Sequence, residues 1–414
     1  MSIIKIGYLI PEFPSQTHNF YCRERDEVEK NNISVEIIST KKPSSMVFST
    51  DLASKQNNRT TYLYPLGLKD FCTIIYVLFM SGPSGWRRCI RSITRSDGKG
   101  LLYYMRLLVF VVMGARLSWH ARKNKLKHIH VHSCANAANI ALYAYLLTGL
   151  PYSITLHGPL TDYGLNQKEK WIHAKFAIVI TKKIFNEIPD QLKNSLPNKI
   201  KIAPMGVHLS SFERNNVYKP WDLVQPLKLF TCGRLNKVKG HEDLIRAVLL
   251  LRESGTNANL VIAGEDDSEN GTVRTELENL IMDNGLSTSV QLLGAVSENR
   301  IRKELENAHI FALPSWSEPL GVVIMEAMAM RLPVIATNAG GVPEIVEHAV
   351  TGILVDPKSP AQLAKGIMKI ATDPVFANQL SQCGYDKVSI DFHSGLSAKI
   401  ISDFVQKNHS EALG

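Results

Sequence analysis

Residues 311–329 read Phe311-Ala312-Leu313-Pro314-Ser315-Trp316-Ser317-Glu318-Pro319-Leu320-Gly321-Val322-Val323-Ile324-Met325-Glu326-Ala327-Met328-Ala329. A short apolar run stops at a proline, a polar loop follows, and an apolar helical pattern opens at Val322. Strand, loop and helix in that order are the working part of a parallel β-α unit. The pattern repeats outward in both directions. Apolar runs Leu227–Cys232, Leu260–Ala263, Val290–Leu293, Val334–Ala336 and Ile353–Val355 alternate with helical spacings at His241–Arg252, Val273–Asp283 and Asn299–Asn307. Ser359-Pro360 starts one more helix, with serine as cap and proline at the first helical position. This alternation predicts a parallel sheet with helices on both faces, a Rossmann-like domain over 223–390.

The first half repeats the scheme less regularly. Strand candidates are Ile3–Ile10, Val35–Ile38, Ile129–His132, Tyr152–Leu156, Ala177–Ile180 and Ile200–Ala203. They predict a second Rossmann-like domain over 1–206, carrying an insertion of helices and loops at 41–127. Residues 207–222 show no period and read as a linker. The tail, 391–414, is helical in pattern and is expected to pack back on the N-terminal domain. The fold class expected is therefore α/β, with two such domains facing each other across a cleft.

Composition narrows the function. The chain has 414 residues, 45% hydrophobic and 21% charged, with formal charge +9, a globular balance. The six cysteines form no C-x-x-C pair, so neither a zinc nor a redox motif is present and a reducing compartment is expected. The N-terminus has too short an apolar run and no basic leader for a signal peptide. These features suit the cytoplasm, at the inner face of a membrane. Between Arg59 and Lys127 lie thirteen Lys/Arg and two Asp, a surplus of eleven positive charges. Two apolar runs, Phe71–Met80 and Leu101–Ala115, fall in the same window, each short of the roughly 18 residues that span a bilayer. Such a window fits a peripheral contact with an anionic membrane, or a pair of core helices with solvated basic flanks. No nucleic-acid motif accompanies it.

Two loops carry chemistry. Gly233-Arg234-Leu235-Asn236-Lys237-Val238-Lys239-Gly240 follows a strand and opens a helix. In an open α/β sheet, ligands sit at the carboxyl ends of the strands. Glycines let the backbone approach, and Arg234 and Lys239 supply full charges suited to a diphosphate. A basic loop alone is more often a solvated face. In the other loop Glu318 lies eight positions before Glu326. On one helix they would diverge, but with Glu318 in the loop and Glu326 in the second turn both can face one site. A carboxylate in an apolar helix must be paired or bind something, and carboxylates suit the paired hydroxyls of sugar and ribose.

These segments resemble family 4 of the retaining glycosyltransferases, which have the GT-B fold. The matched stretches are F-T-C-G-R-L-N-K-V-K-G at 230–240, L-V-I-A-G-E at 260–265, V-Q-L-L-G-A-V-S at 290–297, residues 311–329, P-V-I-A-T-N-A-G-G-V-P-E-I-V at 333–346 and G-I-L-V at 352–355. In the first half, H-I-H-V-H at 128–132, S-I-T-L-H-G at 153–158 and K-I-A-P-M-G-V at 201–207 look like the family's signposts. The opening Pro11-Glu12-Phe13-Pro14-Ser15-Gln16-Thr17 is similar to a subgroup that builds exopolysaccharide or capsule. The first loop is Pro-rich where the family's is Gly-rich, and His208 stands where the family has Asp.

The resemblance implies a hexosyltransferase-type enzyme that takes a sugar from a UDP- or GDP-linked donor and passes it to a saccharide or lipid-linked saccharide, with no further cofactor. Arg234, Lys239 and the backbone of Gly233, Leu320 and Gly321 would meet the diphosphate. Glu326 would bind the ribose, Glu318 the transferred sugar, and Val296 would lie near the base. His157 would join Glu318 at the reacting sugar, and Ser15, Gln16 and Thr17 would serve the acceptor. No D-x-D occurs in the chain, so cations and a helix terminus are expected to replace a metal. His128, His130 and His132 share one strand face, but no nearby carboxylate completes a metal site, and none is expected. The competing classes are a nucleotide-sugar epimerase of the same fold and a non-catalytic carbohydrate- or membrane-binding protein. A dehydrogenase is disfavoured because no G-x-G-x-x-G follows the first strand.

Overall fold

The computed structural model of the chain describes residues 3–14, 19–43, 60–266 and 271–411. These residues divide into two compact units, one holding 3–14, 19–43, 60–204 and 395–411, the other 205–266 and 271–394.

The first unit is built on seven strands: β1 (Ile4–Glu12), β2 (Ile33–Lys41), β3 (Thr60–Tyr64), β4 (His128–Val131), β5 (Tyr152–Leu156), β6 (Ala177–Val179) and β7 (Ile200–Ile202). Their order is β3-β2-β1-β4-β5-β6-β7, all parallel. Helices connect them: α1 (Asn19–Glu29), α2 (Leu68–Met80), α3 (Gly82–Arg95), α4 (Leu101–Asn124) and α5 (Asn136–Thr148). β1 is buried continuously from Ile6 to Ile10, as a strand covered on both faces must be.

Residues 41–127 are not simply an insertion. β3 extends the sheet in register with β2, pairing Ile37 with Thr60 and Lys41 with Tyr64. The sequence hides this strand because it lies at the edge and buries only Leu63, so no alternation marks it. α4 then lies on α5 at close range: a Cβ on Gly114 would fall 2.7 Å from the Ala144 nitrogen.

The second unit has six parallel strands: β8 (Leu227–Cys232), β9 (Ala258–Ala263), β10 (Val290–Gly294), β11 (Ile310–Leu313), β12 (Val334–Thr337) and β13 (Ile353–Val355), in the order β10-β9-β8-β11-β12-β13. Its main helices are α6 (His241–Glu253), α7 (Thr272–Asp283), α8 (Glu298–Asn307), α9 (Val322–Ala329), α10 (Pro360–Ala371) and α11 (Pro374–Asp391). The connections reverse between β8 and β11, the switch point where ligands bind in such sheets. The equivalent reversal in the first unit lies between β1 and β4.

Residues 207–222, read from sequence as a linker, are fastened to the second unit. The Val207 nitrogen donates to the Phe392 carbonyl at 2.8 Å, and the Ser394 nitrogen returns to the Val207 carbonyl at 3.0 Å. Arg214 donates to the carbonyls of Leu305 (3.3 Å), Met330 (3.2 Å) and Glu306, and the Tyr218 hydroxyl to that of His309 at 3.0 Å. Side-chain-to-backbone bonds order this segment, and such bonds leave no hydrophobic period to read. The last helix, α12 (Gly395–Glu411), lies in the first unit. There Ala398, Ile401 and Val405 join Ile6, Tyr8, Val28 and Phe176 in one apolar cluster.

Candidate active site

The loop after β8 is set by close backbone approaches. The Gly233 nitrogen donates to the Ala263 carbonyl, and the Leu235 nitrogen to the Glu265 carbonyl, each at 2.9 Å. Gly264, at φ +145°, stands so near that a Cβ there would fall 1.8 Å from the Gly233 oxygen. The Asn236 side chain accepts from the Val238 nitrogen at 3.1 Å and closes a tight turn over Lys237–Lys239. Gly240 leaves that turn at φ +64°, where a Cβ would lie 2.2 Å from the Pro314 oxygen. Only glycine fits a left-handed residue pressed on a carbonyl.

That approach joins this loop to the one after β11. Trp316 fixes the junction: its nitrogen donates to the Val238 carbonyl at 2.7 Å and its indole N–H to Asp243 Oδ2 at 2.6 Å. The Lys358 ammonium sits 4.5 Å from the ring centre. His241, the first residue of α6, is buried and donates from Nε2 to the Arg234 carbonyl at 3.2 Å. Burial pushes its pKa down to about 4, so the ring is neutral at pH 7 and serves to hold the loop.

The structure brings Lys239 and Glu318 into direct contact, Nζ to Oε2 at 2.6 Å. The Ser315 hydroxyl lies 3.4 Å from the same oxygen. The Glu318 backbone is clamped in turn, its carbonyl accepting from the Gly341 nitrogen at 2.9 Å. A Cβ on Gly340 (φ +60°) would meet that carbonyl oxygen at 1.9 Å. Glu326 lies in the second turn of α9 and is buried. Cys232, the last residue of β8, reports on it: burial, aided by the Glu326 charge and opposed by Lys239, pushes the thiol up to about 12. Lys239, Glu318 and Glu326 therefore gather around the β8/β11 switch point. Arg234 is exposed at the start of the loop, and Leu320 is buried at the end of the other. Gly321 caps α9 at φ +91°, in front of the helix's first N–H groups. Val296 is half-buried in the loop after β10. Trp316 and His241 carry no signal of their own in the sequence. Gly240, which directly precedes His241 and packs on Pro314 and Trp316, is the nearest clue.

In the first unit, His157 follows β5 and is half-buried. Its Nε2 lies 3.3 Å from His132 Nδ1, with Phe20 and Tyr21 ringed around it. One expectation is corrected here, because a carboxylate does stand by the histidines. Glu24, on α1, places Oε1 3.4 Å from His132 Nε2 and accepts from the Tyr8 hydroxyl at 3.0 Å. The 107 residues between Glu24 and His132 concealed this pairing. Burial drives the Glu24 carboxyl up to about 7, with hydrogen bonds from Ser397 and Tyr8 partly offsetting it. Ligand atoms of Glu24, His130 and His132 lie within 4.8 Å of one another. The His130 nitrogens, however, already meet the Ser153 and Thr155 hydroxyls at 2.7 and 2.8 Å. His128 shares the Ser153 hydroxyl at 2.7 Å. Burial lowers both rings, His128 to about 3 and His130 well below the ordinary histidine range. Ser15, Gln16 and Thr17 lie outside the described residues.

With this geometry established, comparison with known proteins places the second unit. Residues 220–387 match the family described as glycosyl transferases group 1. The chain is 35% identical over 213 residues to an uncharacterized glycosyltransferase of Methanocaldococcus jannaschii, covering 50% of this chain and 53% of that one. It is 28% identical to the amylovoran biosynthesis glycosyltransferase AmsK of Erwinia amylovora, covering 50% and 51%. The chain thus spans about half the length of these relatives. Anabaena HepE, solved in complex with UDP-glucose, superposes with a TM-score of 0.70 at 17% identity, covering 99% of this chain and 100% of that one. The fold is GT-B, two Rossmann-like parallel-sheet units, and the family match falls on the second of them.

Proposed function

We propose that this protein is a retaining glycosyltransferase that moves a hexose from a UDP- or GDP-linked donor to a saccharide or lipid-linked saccharide acceptor, without a divalent metal, in the synthesis of an exopolysaccharide, capsule or related glycan. Its place would be the cytoplasmic face of a membrane. The observation that carries this reading is the Lys239–Glu318 contact at the β8/β11 switch point, with Glu326 and the N-terminus of α9 beside it.

A diphosphate arriving there meets Lys239, Arg234 and the N–H groups that follow Gly321. As the bond between the anomeric carbon and the phosphate lengthens, charge builds on the leaving oxygen, and these preorganised groups stabilise it. Lys239 is then shared between phosphate and Glu318. That releases Glu318 oxygens toward the hydroxyls of the sugar, while Glu326 takes those of the ribose. The acceptor hydroxyl attacks the oxocarbenium-like carbon from the face the phosphate leaves, and its proton passes to that phosphate.

The test is melting temperature against UDP, GDP and their sugar derivatives, followed by transfer assays. A diphosphate that binds the native state raises the melting temperature, and UMP or free hexose should do so far less. Arg234→Ala, Lys239→Ala and Glu326→Ala should each lower transfer at least about tenfold with the fold retained. Full activity in all three ends the reading. Conversion of donor to an isomer without acceptor would make the protein an epimerase instead.

A further inference from the structure

The first unit turns apolar side chains outward. On α2, Phe71, Ile75 and Phe79 recur at helical spacing and face solvent, Phe79 at 81% exposure. On α4, Leu101, Met105 and Leu108 form a second such stripe, and Leu102 beside them is 82% exposed. On α4 most side chains become buried only from Phe110 onward, where the helix lies on α5. A soluble helix places its apolar stripe inward, so two stripes facing water need a separate cause.

Between them in sequence, α3 exposes Trp86 and Ile90 beside Arg87, Arg91 and Arg95. The Trp86 indole donates to the Leu78 carbonyl at 3.1 Å and ties α3 to the end of α2. Lys99 and Arg106 add to the surplus, and Arg106 is exposed on α4 within the apolar stripe. Of the two acids in this region, Asp70 is paired to Arg116 at 2.9 Å, leaving Asp97. Tryptophan, outward aliphatics and interleaved arginines are what an in-plane helix presents at a lipid headgroup boundary.

We infer that α2, α3 and the first half of α4 form a monotopic docking face for an anionic lipid bilayer. Its charge decides against the nearest alternative, a second copy of this chain. Two copies would bring two arginine-rich faces together, which association does not tolerate. An anionic headgroup layer neutralises them instead. Nor does α4 read as a span. Its 24 residues are long and apolar enough by length and composition, more than the sequence runs suggested. Yet from Phe110 to Ala121 the helix packs within the unit, and Gly114 presses on the α5 backbone. Crossing would strip that packing away, whereas lying in the interface leaves it intact.

The experiment is flotation of the full chain with phosphatidylcholine vesicles, with and without added phosphatidylglycerol. Binding should need the anionic lipid and weaken with salt. Phe79→Ser with Leu102→Ser, and separately Arg87→Ala with Arg91→Ala and Arg95→Ala, should each cut binding at least about tenfold. All five side chains are exposed, so the melting temperature should hold. UDP or GDP should raise it as in the parent chain, so this test stands apart from the catalytic reading. Flotation that both variants retain overturns the inference, as does none with either lipid. A dimer that the serine pair dissolves, without any flotation, would assign the face to a second copy.

Discussion

The two switch points differ in how they hold ionisable groups. At β8/β11, charge is kept: Lys239 pairs with Glu318, and nearby Arg274 grips Glu265 through Nε and Nη2 at 2.9 and 3.0 Å. Although burial pulls the Glu265 carboxyl up, Arg274 and a backbone N–H bring it below its ordinary value. At β1/β4, charge is avoided. His128 and His130 are buried neutral, and Glu24 holds its proton to about pH 7. A buried site keeps ions only where partners repay desolvation. The second unit has those partners and keeps its ions. The first has aromatic rings and hydroxyls, and settles near the neutral forms.

Acid should break the contrast, with the largest effect. In the unfolded chain, His128, His130 and His241 take up protons below pH of about 6.5. Folded, they refuse them until about pH 3 for His128 and about 4 for His241. The unfolded state therefore binds more protons across that window, and stability falls as pH falls. Glu24 acts in the opposite sense between its unfolded value near 4.5 and its folded value of about 7, cancelling one histidine. Two remain, each costing about 1.4 kcal/mol per pH unit. Calorimetry from pH 7 down to pH 4.5 should show a steep loss of melting temperature; a level trace would mean these rings are charged in the native state.

Gly264→Ala comes next and should damage only the charged side. Its Cβ would fall 1.8 Å from the Gly233 oxygen at φ +145°, so β8 and β9 must part where the loop after β8 begins. A loss of about 3 kcal/mol or more is expected, together with loss of the nucleotide-dependent rise in melting temperature. Gly255→Ala, also at positive φ but in open space, is the control and should cost only about 1 kcal/mol. Equal losses would show that backbone strain, rather than the loop contact, dominates.

These glycines also mark how far the sequence could be read. The second unit was legible almost strand by strand, since its runs are buried on both faces and its loops are short. Lys239, Glu318 and Glu326 follow or flank those strands, so local order was enough to find them. The first unit was less so. β3 is an edge strand with one buried side chain, and the fastened segment 207–222 depends on Arg214 and Tyr218 reaching backbone carbonyls about 90 residues away. Glu24 beside His132 is the same kind of case: neither residue has a neighbour in sequence that points to the other. Local patterns report burial, and they do not report which distant polar groups meet.

Glu24→Gln gives the smallest effect and the most direct test of neutrality at β1/β4. Glutamine keeps the shape and an oxygen for the Tyr8 hydroxyl, but cannot ionise. At pH 5 the native carboxyl is already protonated, so variant and parent should melt within a few degrees of each other. At pH 8 the parent carries a buried charge whose His132 partner, at 3.4 Å, does not repay its desolvation. The variant should then be the more stable by about 1–2 kcal/mol, because the folded-state pKa of about 7 has nothing left to titrate. Less stability at pH 8 would mean that Glu24 works as an ion paired with His132, and the two switch points would then hold charge in the same way.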